Sequence, residues 1–375
     1  MLADAASADE MCGDCDARDA LAVDATYTGE FWRQASGGLA TGSRYLDNLD
    51  VTFDVDGERL AGVEGLQLFA YLLYNNGRGF CDELTGTAQC VSNIEATEAL
   101  RLYELWSEWR FGSGGQSLRF GLYDLNSEFD SIERAGLFIN PSHGIGADLA
   151  QTGENGPSIF PVTSLGARFS KSLGQWSVQV AALDAVPGDV NHPNRTAIRL
   201  SSEEGALLIG ETNYRWESAR FGVGYWQYTE QFERLDESAS KINAGMYAIA
   251  EGTVLTADSG NVDLFVRAGT ADARINPIHR YYGGGAVYTQ HEHQLGLAVG
   301  IAEFGESYRR LEPVDAREYI VELTYRVTVS DWLAIQPDVQ YIRHPGANPQ
   351  LAAGWAVGLR FEVGSHWGWA GAHSR

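Results

Sequence analysis

Long apolar runs are missing from this sequence of 375 residues. A helix that spans a membrane needs about 20 mostly apolar residues. The most apolar local stretch, Leu66 to Tyr74, is much shorter and contains Gln67. The sequence therefore excludes a protein that crosses a membrane with helices. The first residues also lack the apolar segment of a secretory signal peptide, so we expect that any leader was removed or lies upstream.

Basic residues are few, because 27 Lys and Arg stand against 50 Asp and Glu, which gives a net charge of −23. An acidic surface repels nucleic-acid phosphates, so a nucleic-acid partner is excluded. Signatures of catalysis and of nucleotide binding are also missing. We therefore predict neither enzyme activity nor a cofactor. His291 and His293 lack a third ligand in the sequence, so no metal site is predicted.

Cysteine is scarce, and the four cysteines form two close pairs. Cys81 and Cys90 enclose a polar, turn-rich segment, which favours a disulfide within a loop. Cys12 and Cys15 form a single CxxC in an acidic segment with no second CxxC. A disulfide or free thiols explain this pair better than a redox or metal site does.

Glycine and aromatic residues are abundant, with 43 Gly, 17 Tyr and 10 Trp, and apolar residues alternate with polar ones. The alternation is clear from Asn48 to Val55 and from Tyr319 to Val329, and similar segments recur along almost the whole chain. This pattern predicts an all-β fold, a transmembrane antiparallel β-barrel of about 16 strands with long extracellular loops and short periplasmic turns. A soluble β-sandwich or propeller is the alternative, but we find no repeat of roughly 40 to 50 residues.

The predicted organisation has three parts. Residues 1–25 form an acidic segment, expected to be poorly ordered or to lie at the periplasmic rim. Residues 26–363 form the barrel, and residues 364–375 form a tail beyond the expected end of the last strand. Trp176, Trp216 and Trp332 stand beside short turns, as expected of an aromatic girdle at the periplasmic interface.

Charged side chains recur at alternate positions of the predicted inner wall. Mixed charge keeps a channel wet and sets its selectivity, although such residues also simply pair with one another. The predicted lumen-lining residues are Glu104, Glu108, Arg110, Glu211, Arg215 and Arg326, with Arg267, Glu322 and Arg360 in equivalent positions.

The segment 124–162 is long for a connection, and long connections are usually functional. Its amides, carboxylates and aromatic rings suit sugars, because hydroxyl groups take hydrogen bonds and C–H faces rest on rings. If this loop folds into the barrel, it forms a constriction. The candidate sugar-contacting residues of this loop are Asn126, Glu128, Phe129, Asp130, Asn140 and Asn155.

Several motifs resemble the carbohydrate-selective porins of Gram-negative outer membranes, the OprB-type family, from about residue 27 to residue 363. The motifs are YLDNLDVTFDVD, LYNNGRGF, LRFGLYDLNSEFD, GLFINPSHGIGADLAQTGENGPSIFPVTSLGAR and DAVPGDVNHPNRTAIRLSSEEGALLIGE. The resemblance implies a 16-stranded barrel in the outer membrane, in contact with lipid, through which neutral sugars diffuse. It also implies a narrow zone of Arg and Glu, which we assign to Arg119, Glu128 and Arg168 because they lie within matched motifs.

Three alternatives stay open at this point: a porin for another small solute, a plugged barrel, and an adhesin without channel activity. A barrel enzyme is disfavoured because no Ser partner accompanies the histidines. The sequence does not distinguish a monomer from a homotrimer.

Overall fold

The computed structural model describes residues 19–112, 115–189, 191–192, 194–198 and 204–369. These residues form sixteen strands, each antiparallel to the next, and β1 pairs with β16 to close a barrel. The predicted transmembrane barrel of about 16 strands is therefore confirmed. The strands are β1 Leu21–Gly38, β2 Gly42–Asp56, β3 Leu66–Gly77, β4 Ala96–Phe111, β5 Gln116–Tyr123, β6 Ser164–Leu173, β7 Trp176–Asp184, β8 Ala206–Trp216, β9 Ala219–Glu233, β10 Ser240–Ala257, β11 Gly260–Ala271, β12 Ile278–Gln290, β13 His293–Phe304, β14 Arg317–Ser330, β15 Leu333–Arg343 and β16 Ala352–Trp369.

Helices are short and lie in connections. The α-helices are α1 Gly57–Ala61, α2 Ala147–Ala150 and α3 Glu306–Leu311; Cys81–Thr85 is one π-helical turn, and the 3₁₀ turns are Leu125–Ser127, Glu133–Ala135, Pro141–His143 and Pro345–Ala347. None of the helices in the described ranges is long and apolar enough to pass through a membrane.

The alternation in the sequence decides which way each side chain points. In β14, Glu318, Ile320 and Glu322 are fully buried and face inward, whereas Leu323 and Val329 are about half exposed on the outside. An apolar outer face and a polar inner face invert the arrangement of a soluble barrel. Trp176, Trp216 and Trp332 are also exposed beside short turns, as predicted for the girdle.

The connections differ between the two rims. The rim that carries both ends of the barrel has tight turns such as 217–218 and 258–259, while the opposite rim carries the loops 78–95 and 124–163. The loop rim also has one short hairpin, at 39–41, and the turn rim has one longer connection, at 57–65, which contains α1.

The barrel extends beyond its predicted limits of 26 and 363. Leu21 pairs with Trp369 and Ala25 with Ser365, so both ends of the chain lengthen the wall. These two end segments lack an apolar alternation long enough to predict a strand. They still join the sheet, because pairing satisfies the hydrogen bonds of their backbone groups. The rest of the predicted acidic segment and tail, with Cys12 and Cys15, lies outside the described residues.

Candidate functional site

The loop 124–163 folds into the barrel and is fastened to carboxylates on the far wall. The Asp130 N–H donates to Glu211 in β8 at 3.0 Å, and the Arg134 N–H donates to Glu251 in β10 at 2.7 Å. The Ile139 N–H donates to Glu322 in β14 at 2.6 Å. The loop therefore crosses the interior from β5 to β14. These contacts place the loop inside the barrel.

Arg267 of β11 adds the strongest single anchor. Its guanidinium holds Asp130 through two hydrogen bonds, of 3.0 and 2.7 Å, and also contacts Asp148. Arg267 and both carboxylates are almost completely buried. A β-carbon at Gly146 would lie 1.9 Å from the Arg267 guanidinium, so this loop position has room only for glycine.

Arg119, Arg168, Glu108 and Glu128 form a four-residue charge cluster where the loop leaves β5. Arg168 holds Glu128 through two hydrogen bonds, of 2.9 and 2.6 Å, and lies 3.2 Å from Glu108. Arg119 holds Glu108 at 2.8 and 3.1 Å and lies 3.7 Å from Glu128. The strands β4, β5 and β6 are adjacent, and Glu108, Arg119 and Arg168 share one register row. The structure thus brings together all three residues assigned from the resemblance.

The cluster is partly open to the lumen. The side chains of Glu128 and Arg119 are 18% and 12% exposed, whereas those of Arg168 and Glu108 are 2% and 6% exposed. Two positive and two negative groups cancel, so the cluster presents hydrogen-bonding groups with no net charge.

An aromatic track runs along the inner wall towards this cluster. Phe160, Tyr103, Tyr71, Phe69 and Trp106 follow one another with ring centroids 6.4, 4.9, 6.5 and 4.9 Å apart. The Arg119 guanidinium lies 3.8 Å from the centre of the Trp106 ring and ends the track.

Sequence reasoning missed four of these rings, because it searched for aromatic faces in the loop and not on the wall. The available signal was the spacing of Phe69 and Tyr71, which places both on the inner face of β3.

Hydroxyl and carboxylate groups accompany the rings. Tyr71 donates to Asp50 and Tyr103 donates to Asp124, each at 2.5 Å. Burial raises the pKa of Asp124 to about 6, while hydrogen bonds from Tyr103 and from the Asn126 N–H oppose the shift. This part of the wall therefore combines the apolar faces of the rings with polar hydroxyl and carboxylate groups at the ring edges.

A second loop, 78–95, also folds inward and was not foreseen to do so. The predicted disulfide between Cys81 and Cys90 is present, with Cα atoms 5.4 Å apart. Thr87, Ala88 and Gln89 all donate to the buried carboxylate of Glu318 at 2.8 to 3.1 Å. The potential metal ligand Glu95 lies beside the two sulfur atoms, but the disulfide occupies both of them.

Most of the loop residues proposed to contact sugar turn out to hold the loop together. Phe129 and Asp130, which were predicted to contact sugar, are fully buried. The reason is that Phe129 packs into an apolar cluster and Asp130 pairs with Arg267. The Asn126 side-chain amide donates to three backbone carbonyls, and that of Asn140 donates to the Cys90 carbonyl and to Gln340. Asn155 differs, since it lies in a surface cavity and donates to the Pro187 carbonyl at 2.7 Å.

Of the six residues predicted to line the lumen, Glu108 belongs to the charge cluster. The other five fall into two groups. Glu104 and Glu211 are buried and bind backbone N–H groups of the loop. Arg110, Arg215 and Arg326 are exposed or partly exposed near the turn rim, where Arg215 pairs with a loop carboxylate at 2.9 Å and Arg326 with a β16 carboxylate at 2.9 Å.

His143 lies deep in the loop between two phenylalanine rings. Burial lowers the pKa of His143 to about 3, so the imidazole is neutral at the pH of the cell surface. His143 therefore adds no positive charge to the interior of the loop at that pH.

Comparison with known proteins agrees with this architecture. A family model described as carbohydrate-selective porin, OprB family, matches residues 40–364. Porin B of Pseudomonas aeruginosa is 21% identical over 396 aligned residues, which cover 90% of this chain and 86% of that protein.

Two solved structures share the fold. The high-pH structure of Pseudomonas putida OprB superposes with a TM-score of 0.81 at 17% identity, covering 92% of this chain and 94% of that one. The outer membrane channel DcaP of Acinetobacter baumannii gives a TM-score of 0.59 at 11% identity, covering 92% and 97%. Because the family match spans most of the sequence, this chain belongs to the OprB family of carbohydrate-selective porins.

Proposed function

We propose that this outer-membrane porin lets neutral mono- and small oligosaccharides diffuse passively through its lumen, and that the charge cluster of Arg119, Arg168, Glu108 and Glu128 selects them. The observation that carries the proposal is the contact between the inward loop and the wall, where Glu128 meets both arginines. The lumen and the loop come from one chain, so a single barrel is the unit of transport in this proposal. A homotrimer would hold three such units.

The chemistry of the cluster suits neutral polyols. Arginine only donates hydrogen bonds and an ionised carboxylate only accepts them, so adjacent sugar hydroxyls find both partners. Because the positive and negative charges cancel, no ion of either sign is strongly favoured at this point. The mutual pairing also holds the four side chains in fixed positions, which reduces the entropy lost when a sugar binds.

The aromatic track supports the same substrate class. Sugar C–H faces are apolar and rest on aromatic rings, while the Tyr71 and Tyr103 hydroxyls sit beside carboxylates at the ring edges. A series of weak contacts lets a solute enter and leave quickly, which a diffusion channel requires.

A plugged barrel is the second candidate, and the amount of apolar packing inside the barrel favours it. Phe129, Leu137 and Phe138 of the loop pack against wall residues that include Trp226 and Tyr247. This core crosses the interior between β5 and β14. Single-channel recording distinguishes the two candidates, because a plugged barrel passes no ions.

The test is the swelling of liposomes that contain the purified protein, in isotonic glucose. Replacing Arg168 by Gln removes the cation that fixes Glu128 in place, so we expect glucose entry to slow. The variant also leaves the cluster negative, so potassium should gain over chloride. Arg310→Gln on the exposed helix α3 is the matched control and should change neither rate. Equal glucose rates for Arg168→Gln and the control would refute the role of the cluster.

A further inference from the structure

Four charged side chains face outward at the loop ends of four adjacent strands. Arg280 lies in β12, Glu303 in β13, Arg317 in β14 and Arg343 in β15. Each lies next to a fully buried, inward-facing residue, and side chains alternate along a strand. The buried neighbours are Tyr281, Ala302, Glu318 and Ile342. The four charges therefore lie on the outer surface of the barrel and not in the lumen.

The pairing of the strands sets these side chains side by side. Arg280 is opposite Glu303, and Glu303 is opposite Arg317. Glu303 holds Arg280 at 3.2 Å and Arg317 at 2.9 Å. Arg343 is opposite Tyr319, and its guanidinium lies 5.9 Å from the centre of that ring. One carboxylate thus orders two arginines, and a tyrosine ring supports the third.

This outer arginine cluster, Arg280, Glu303, Arg317 and Arg343, is positive in a strongly acidic protein. Three arginines and one glutamate leave a charge of about +2. Among the acids nearby, Asp315 lies 3.8 Å from His344 and Glu306 contacts Arg310. The side chains of Arg280 and Arg317 are 49% and 50% exposed, so their remaining N–H groups are accessible.

The cluster lies at the level where lipid headgroups begin. Each arginine is two residues away from an outward-facing tyrosine on its own strand: Tyr282, Tyr319 and Tyr341. Tyr341 packs against Trp355, with ring centroids 4.9 Å apart. Aromatic girdles mark the two interfaces of an outer-membrane barrel, and the loop rim is the extracellular one.

We propose that the outer arginine cluster binds the phosphate groups of a glycolipid in the outer leaflet. The outer leaflet of Gram-negative outer membranes is built from phosphate-bearing glycolipids. Arginine binds phosphate through two parallel N–H donors, and a guanidinium is weakly hydrated, so it suits such a contact at an interface. Arg317 and Arg343 are diagonal neighbours on adjacent strands, because Arg343 is opposite Tyr319. Diagonal neighbours are about 7–8 Å apart, within reach of long side chains, so one phosphate can contact both arginines. The acyl chains of the same lipid then lie on the apolar wall below the tyrosines.

The proposal is tested by native mass spectrometry of the full chain in detergent, titrated with diphosphorylated lipid A. Each basic side chain near a charged membrane surface is worth about 1 kcal/mol, or about fivefold in affinity. The triple variant Arg280→Gln, Arg317→Gln, Arg343→Gln should therefore bind about 100-fold more weakly. The triple exchange of the same arginines for Lys keeps the charges but loses the paired N–H donors, so its affinity should fall between those of the unchanged protein and the triple Gln variant.

Two controls make the outcome specific. Lys171→Gln changes an outward-facing lysine near the turn end of β6, in the opposite leaflet, and should leave binding unchanged. Lipid A without phosphates should bind at least tenfold more weakly than the diphosphorylated form. If the triple Gln variant does not fold, Arg343→Gln alone, with about a fivefold loss, gives the same test.

Three results would overturn the proposal. The first is an affinity of the triple Gln variant for diphosphorylated lipid A that lies within twofold of the affinity of the unchanged protein. The second is an equal loss in Lys171→Gln. The third is displacement of the lipid by millimolar inorganic phosphate, which would identify a site for a soluble anion instead.

Discussion

Arg267 offers the sharpest test of how the loop 124–163 is held inside the barrel. One guanidinium pairs with two buried carboxylates of the loop, Asp130 and Asp148. Replacing Arg267 by Met keeps a side chain of similar length and leaves both carboxylates buried without their cation. The loop then has to leave the wall or bind protons.

The size of the effect follows from the burial of all three groups. Removing one partner of a buried ion pair costs about 3–5 kcal/mol, because the remaining charge stays in a medium of low polarity. That range corresponds to about a 100-fold to 4,000-fold increase in the open population of the loop. The barrel itself should still form, because the backbone pairing of its sixteen strands does not use the Arg267 side chain.

The assay is amide hydrogen exchange of the protein in detergent micelles, read on peptides from residues 128–150. Exchange through local opening reports the free energy of that opening directly. We expect loop peptides of Arg267→Met to exchange at least 100-fold faster, while strand peptides are unchanged. The triple variant Arg267→Met, Asp130→Asn, Asp148→Asn removes all three charges and should recover most of the protection. Unchanged loop exchange in Arg267→Met, or a triple variant as open as the single one, would refute this reasoning.

Three further predictions concern the other anchors and the pH. Glu318→Gln should release the loop 78–95, because the side-chain amide of Gln cannot accept all of the hydrogen bonds that this carboxylate accepts. Hydrogen exchange of the backbone N–H groups in that loop should become faster. Glu83→Gln on the surface is the control. Replacing both Cys81 and Cys90 by Ser should lower the free energy of unfolding by about 2–4 kcal/mol, measured by unfolding in guanidinium. An unchanged midpoint of the unfolding transition would contradict this prediction. Asp124 has a raised pKa of about 6, so it binds a proton as the pH falls from 7 to 5 and the lumen loses one negative charge. The ratio of cation to anion permeability, from reversal potentials in a salt gradient, should fall with a midpoint near pH 6. In Asp124→Asn this ratio should not change around pH 6.

The fold could be predicted from the sequence because period-two alternation acts on every strand separately. In β14 and β16 the outward apolar side chains are those that the alternation identifies, from Tyr319 to Val329 and from Trp355 to Val363. The ends of the barrel were predicted less well. Leu21 to Ala25 and Gly364 to Trp369 join the wall by pairing with each other, and such a long-range contact leaves little trace in either segment alone.

The candidate site was predicted in part, for the same physical reason. Arg119 and Arg168 belong to strands, so the alternation places them on the inner face. Positions in the loop have no such periodicity. Phe129 and Asn126 therefore looked like exposed sugar contacts, whereas the structure buries both within the folded loop. The inward course of the loop 78–95 depends on Glu318, which lies more than 200 residues away along the chain.

An inward-facing charged side chain in this barrel therefore has one of two roles: it anchors the loop or it contacts the permeating solute. Its hydrogen-bond partners indicate which role it has. Glu211, Glu251 and Glu322 are buried, and each accepts a hydrogen bond from a loop N–H group, so they act as fasteners for the loop. Glu128 and Arg119 form their ion pairs with other side chains of the cluster and keep part of their surface open. Substitution of the first kind should raise loop exchange and channel noise with little change in the preference among sugars. Substitution of the second kind should change that preference while loop exchange stays the same. A fastener variant that alters sugar preference without loosening the loop would show that the division by hydrogen bonding is wrong.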